Sequence, residues 1–135
     1  MKLIYFKMLN TAIERLLNNE LAGYGLTYTQ ATVIGYLKQK EGQDICQKDI
    51  EASLGLTHPT VSSILHRMEE KGMIRTESRE EDHRYKRITL TPASAQLVHD
   101  IRSRISGIEA RLYAGLSEKE LAVLDQMMQK MLHNI

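Results

Sequence analysis

The chain has 135 residues, 42% of them hydrophobic and 26% charged, with a formal net charge of +1. That length suits a single domain, this balance excludes a disordered chain, and near-neutrality confines any nucleic-acid contact to a local patch. With no Trp, one Phe and only Cys46, the core must be aliphatic and no internal disulfide can form, as fits a reducing cytoplasm.

Residues 3 to about 22 read as a helix with a broad apolar stripe of Ile4, Met8, Leu9, Ala12, Ile13, Leu16, Leu17 and Leu21. Lys7, Glu14 and Arg15 interrupt it, so neither an export signal nor a membrane span is expected. A stripe that wide on a terminal helix needs a partner surface. Gly23 and Gly25 break the helix. Thr27 and Gln30 then form a capping-box pattern that opens a second helix, which ends near Gly42.

A short helix from about Cys46 to Leu54 follows, with Ile50 and Leu54 inward and Leu56 expected to pin the turn after Gly55. The next helix starts at Thr57 or His58, carries Pro59 in its first turn and ends at Gly72. Val61, Ile64, Leu65 and Met68 share one stripe; Pro59, Ser63, His66 and Glu70 point the other way. Such a helix can be held by its back and enter a major groove about 12 Å wide. Candidate DNA contacts are Thr57, Pro59, Thr60, Ser62, Ser63, His66 and Arg67, although a solvated surface would also read this way.

Residues 73–77 and 86–90 are short and β-rich around a polar stretch from Ser78 to Tyr85, the pattern of a hairpin with a long tip. A hairpin directly after a helix-turn-helix is a wing. Its second strand offers Arg84, Lys86 and Arg87, with Arg84 and Lys86 as candidate DNA contacts. Thr91-Pro92 starts a helix running to about Ala114, with Val98, Ile101, Ile105, Ile108 and Leu112 three and four residues apart. A second capping box, Ser117 to Glu120, opens the last helix, whose seam is Leu121, Leu124, Met128, Met131 and Ile135. These seams suit bundle or coiled-coil packing, and with the first helix they are read as a dimer interface. Met127, Met128 and Met131 are expected to fill core.

The stretches LGLTHPTVSSILHRMEEKGMI and EEDHRYKRITLT resemble the MarR-type transcriptional regulators, with Asp82, Arg84, Ile88, Leu90 and Thr91 in the family's wing pattern. The element order resembles the family's over essentially the whole chain. The resemblance implies a mainly α winged helix-turn-helix in residues 27–91, with dimerisation helices in 1–26 and 92–135. It further implies a homodimer on a palindromic duplex operator, with the wings in the minor groove. Asp82 would pair with an arginine to shape the wing. A small-molecule effector site would lie near Tyr24, Tyr36 and Tyr113, which are otherwise ordinary core-edge tyrosines. Two positions depart from the family: Ser94 stands where glycine is frequent, and Glu51 where a small residue is common.

No cofactor or metal is expected, because the five histidines are scattered and no nucleophile-base set or phosphate-cradling glycine loop is present. Cys46 is read as a half-buried structural residue rather than a redox sensor. An enzyme is therefore not expected. The remaining alternative is a winged helix that docks on protein instead of DNA.

Overall fold

The computed structural model describes residues 1–78, 81 and 85–135. Asp82 and Arg84 lie outside these residues. The elements, in order, are α1 (Leu3–Leu21), a 3-10 turn (Ala22–Tyr24), α2 (Tyr28–Gln39), α3 (Gln47–Leu54) and α4 (His58–Glu70). There follow β1 (Ile74–Ser78), β2 (Lys86–Leu90), α5 (Pro92–Leu112) and α6 (Glu118–His133). It is a mainly α winged helix-turn-helix with helical extensions at both ends.

Local chemistry sets most of the boundaries. Thr27 caps α2 in a closed box: its Oγ1 accepts from Gln30 N at 3.2 Å, and Gln30 Oε1 accepts from Thr27 N at 3.1 Å. Gly55 ends α3 in the left-handed conformation at φ 65°, where a Cβ would be strained, and this bend swings the chain into α4. Ser117 and Glu120 close the same box at the start of α6, at 3.1 Å in both directions.

One core joins the elements from α1 to α5. Leu21, Val33, Ile34, Ile50, Val61, Leu65, Met68, Ile74, Ile88, Val98 and Ile101 are all buried in it. β1 and β2 pair antiparallel, with Ile74 opposite Leu90 and Ser78 opposite Lys86. The sheet is tied sideways to the loop before α3, where Ile88 N donates to Ile45 O at 2.8 Å. At the α4–β1 junction, Ser94 Oγ donates to Met73 O at 2.7 Å and Thr91 Oγ1 to Gly72 O at 2.7 Å. Ser94 is therefore a buried strut between α5 and the wing, a use that glycine could not serve.

Several expectations are corrected. Leu56 faces outward, because the left-handed Gly55 redirects the chain, and Leu54 is the residue packed against the core. α5 ends at Leu112, close to the expected bound, but the Leu112 side chain is exposed instead of continuing the seam. Met127 and Met128 do not fill this subunit's core, and Ile135 lies beyond the end of α6. No residue of α6 is buried within the single chain. Leu3, Ile4, Tyr5, Met8 and Leu9 of α1 are exposed as well. Both ends of the chain thus present apolar faces that one subunit leaves uncovered.

Candidate nucleic-acid interface

α4 is held from behind by Val61, Leu65 and Met68, all buried, with Ile64 half-buried beside them. Pro59 in the first turn lacks a hydrogen-bond donor where none is needed. Thr57, Pro59, Thr60, Ser62, Ser63, His66 and Arg67 are all exposed. Beyond the N-cap Thr57, helical spacing divides the exposed residues of α4, His58 included, into three strips. Pro59, Ser63 and His66 lie opposite the buried stripe, His58 and Ser62 flank the wing, and Thr60 and Arg67 flank α2.

The wing-side flank opens into a cleft lined by Lys48, His58, Ser62, His66, Tyr85 and Lys86, among others. It joins α3, α4 and the base of the wing. On the opposite flank, Ser63 and Arg67 share a groove with Glu14, Asn18 and the start of α2 at Thr27–Gln30. The single chain therefore places Lys86 beside the recognition helix, while Arg67 stands toward α1 and α2.

Glu69 and Glu70 of α4, and Glu51 of α3 beside its start, each have a partner. Glu51 Oε2 lies 2.9 Å from His58 Nδ1, Glu70 Oε1 lies 3.1 Å from His66 Nε2, and Glu69 Oε1 accepts from Thr76 Oγ1 at 2.9 Å. Lys48, Arg67 and Lys86 make no ion pair among the described residues. The cations thus remain available to an outside anion, while Glu51, Glu69 and Glu70 each have a partner. His66 would have to exchange Glu70 for any DNA acceptor. Thr57 and Thr60 bond each other through their hydroxyl oxygens at 2.9 Å, which orders the first turn.

The wing is anchored at its base. Tyr85 Oη donates to Asp44 O at 3.2 Å, and Arg87 Nε lies 3.8 Å from Asp44 Oδ1, an ion-pair distance. Arg87 is thus a structural cation. The sequence offers no signal for Asp44 or Lys48, and marks Glu51 only as a departure from the family pattern, because their roles depend on segments that meet only in the fold.

The three tyrosines take separate places. Tyr24 lines an open groove between α1 and α5 with Glu20, Arg104, Ser103 and Arg111, and Tyr36 and Tyr113 do not line it. Arg104 Nη1 donates to Glu20 Oε2 at 3.2 Å, and its bond with Tyr24, then Glu20, raises its pKa further. Tyr36 packs half-buried on the core, where burial pushes its phenol pKa up, with Asp49 and Cys46 adding to the shift. Tyr113 is the C-cap of α5 and is exposed. Cys46 is half-buried at the start of α3, where its N–H donates to Asp49 Oδ2 at 2.9 Å.

Comparison with known proteins meets this geometry. The sequence model of the MarR family matches residues 24–84. Among solved structures, the DNA complex of the Staphylococcus aureus regulator MepR is similar over 100% of this chain and 99% of its own. Its TM-score is 0.94 and its identity 29%. MepR in its DNA-binding conformation is 30% identical over 99% of this chain and 98% of that one, with a TM-score of 0.83. The transcription regulator MarR of Oenococcus oeni is 25% identical over 96% of both chains, with a TM-score of 0.78. Among the described residues no helix is long and apolar enough to cross a membrane. Proteins of this family are dimers, a state that would cover the apolar faces of α1 and α6. With the winged helix, its exposed recognition face and these likenesses in hand, the chain belongs to the MarR family of DNA-binding transcription regulators.

Proposed function

We propose that this protein is a cytoplasmic, homodimeric repressor of a palindromic operator, without catalytic activity. The observation that carries the reading is the recognition face itself. Small polar groups stand in front of α4, Lys48 and Lys86 stand beside it without ion-pair partners among the described residues, and its own acids, Glu69 and Glu70, are each engaged. Thr57, Pro59, Thr60, Ser62, Ser63, His66, Arg67 and Lys86 are the proposed contacts. Arg84 as a minor-groove contact and Asp82 as a wing-shaping residue are carried over from the sequence resemblance. MepR, which has this chain's architecture, has been solved on DNA.

In a two-fold dimer the terminal helices set the spacing of the two recognition helices. A small-molecule effector that alters their angle would weaken operator binding without any chemistry. The groove beside Tyr24, between α1 and α5, is where a ligand would touch both a terminal helix and the helix that leads out of the wing.

A salt titration of binding to a generic duplex tests the DNA reading. The logarithm of affinity should fall with the logarithm of salt, with a slope of about −0.9 for each phosphate neutralised. A flat response would favour docking on protein, which the net charge of +1 also suits.

A further inference from the structure

Across the turn at Gly55, two residues of α3 grip the first residue of the recognition helix. Glu51 Oε2 lies 2.9 Å from His58 Nδ1. Gln47 Nε2 lies 3.0 Å from the same ring nitrogen and donates to His58 O at 3.2 Å. A carboxylate can only accept, so Nδ1 carries the hydrogen and gives it to Glu51. That hydrogen cannot be shared with a second donor, so the Gln47 amide serves the His58 carbonyl. The Glu51 side chain is 19% exposed, whereas that of His58 is 69% exposed. The clamp is thus sheltered and the ring it holds is not.

Fixing the hydrogen on Nδ1 decides the other nitrogen. In the neutral ring Nε2 becomes an acceptor, and among the described residues nothing bonds it. It stands at the start of the recognition helix, on the wall of the cleft that also holds Lys48, Ser62 and Lys86. Residues at that end of a recognition helix reach base edges in the major groove. A fixed acceptor there fits the exocyclic amino group of adenine or cytosine, the two major-groove donors.

We propose that His58 is a specificity-determining residue that accepts through Nε2 from an adenine or cytosine amino group, and that Glu51 is the positioning residue that sets its tautomer and direction. This rests on the reading of the chain as an operator-binding dimer. It also gives a use to the sheltered carboxylate of Glu51.

The test is selection of bound sequences from a random duplex pool with wild type, His58→Ala, Glu51→Ala and Glu51→Gln. Thermal melts and sedimentation would confirm folded dimers. Wild type should require adenine or cytosine at one position of each half-site. His58→Ala and Glu51→Ala should both lose that requirement while keeping the rest of the motif, and each should bind the wild-type site about fivefold more weakly. Glu51→Gln, whose amide oxygen still accepts from Nδ1, should restore the requirement. An unchanged motif in His58→Ala overturns the proposal, as does a uniform loss of affinity at every position in Glu51→Ala. If wild type selects no motif at all, operator reading itself fails and takes this proposal with it.

Discussion

Replacing Leu124 and Met128 of α6 together by alanine should convert the dimer to monomer at working concentrations. Leu124 is 42% exposed and Met128 38% exposed in the single chain, although both belong to the apolar seam. Fully burying such a side chain is worth about 1.5–3 kcal/mol, so covering the remaining two-fifths is worth about 1 kcal/mol each. Two-fold symmetry counts each residue twice, which brings the loss to about 4 kcal/mol, or roughly a thousandfold in dissociation constant. Area arguments set an upper bound at interfaces, so a hundredfold shift would still agree. The assay is sedimentation velocity over a dilution series. Because no residue of α6 is buried within its own subunit, the monomeric variant should keep its far-ultraviolet dichroism. If the variant sediments as wild type at every concentration, α6 does not build the interface and the reasoning is wrong.

Other perturbations test the scaffold that aims α4. Thr27→Ala removes the acceptor for Gln30 N and should lower stability by about 1 kcal/mol, seen as a melting temperature about 4 °C lower. Ser94→Ala removes a buried donor to Met73 O at 2.7 Å and should cost about 1 kcal/mol in chemical denaturation. Backbone and side-chain hydrogen bonds from Ser117 hold the Glu120 carboxyl below its usual range. Its contribution is therefore present above the unfolded carboxylate pKa and is lost as acid protonates it through the lower folded value. Melts of wild type and Glu120→Gln should then differ near neutral pH and converge in strong acid, where Glu120 is itself neutral; a constant gap would refute the linkage.

How much of this could be read beforehand follows from how far apart the partners lie in sequence. The boxes at Thr27–Gln30 and Ser117–Glu120 span three residues, so their letters alone carried them. The buried stripe of Val61, Leu65 and Met68 follows from helical period in the same way. Leu56 was misplaced because hydrophobicity gives no direction once a left-handed glycine turns the chain. Met127 and Met128 look like core in the sequence because a seam looks the same whether its cover is the same subunit or another. The grip of Glu51 on His58 and of Asp44 on Arg87 depends on segments brought together by the fold, and spacing could not foresee it. Ser94 and Glu51 stood out only as departures, and the structure gives both a hydrogen-bonding partner. Arg84 and Asp82 rest on the sequence alone.

The central claim is that two copies of α4 read two half-sites held at a spacing set by the terminal helices. Sequencing the duplexes that wild-type protein retains from a random pool tests it most directly. The account predicts a palindrome with half-site centres about ten base pairs apart. Enrichment of a single unpaired site, or of none while the dimer stays intact, would contradict it.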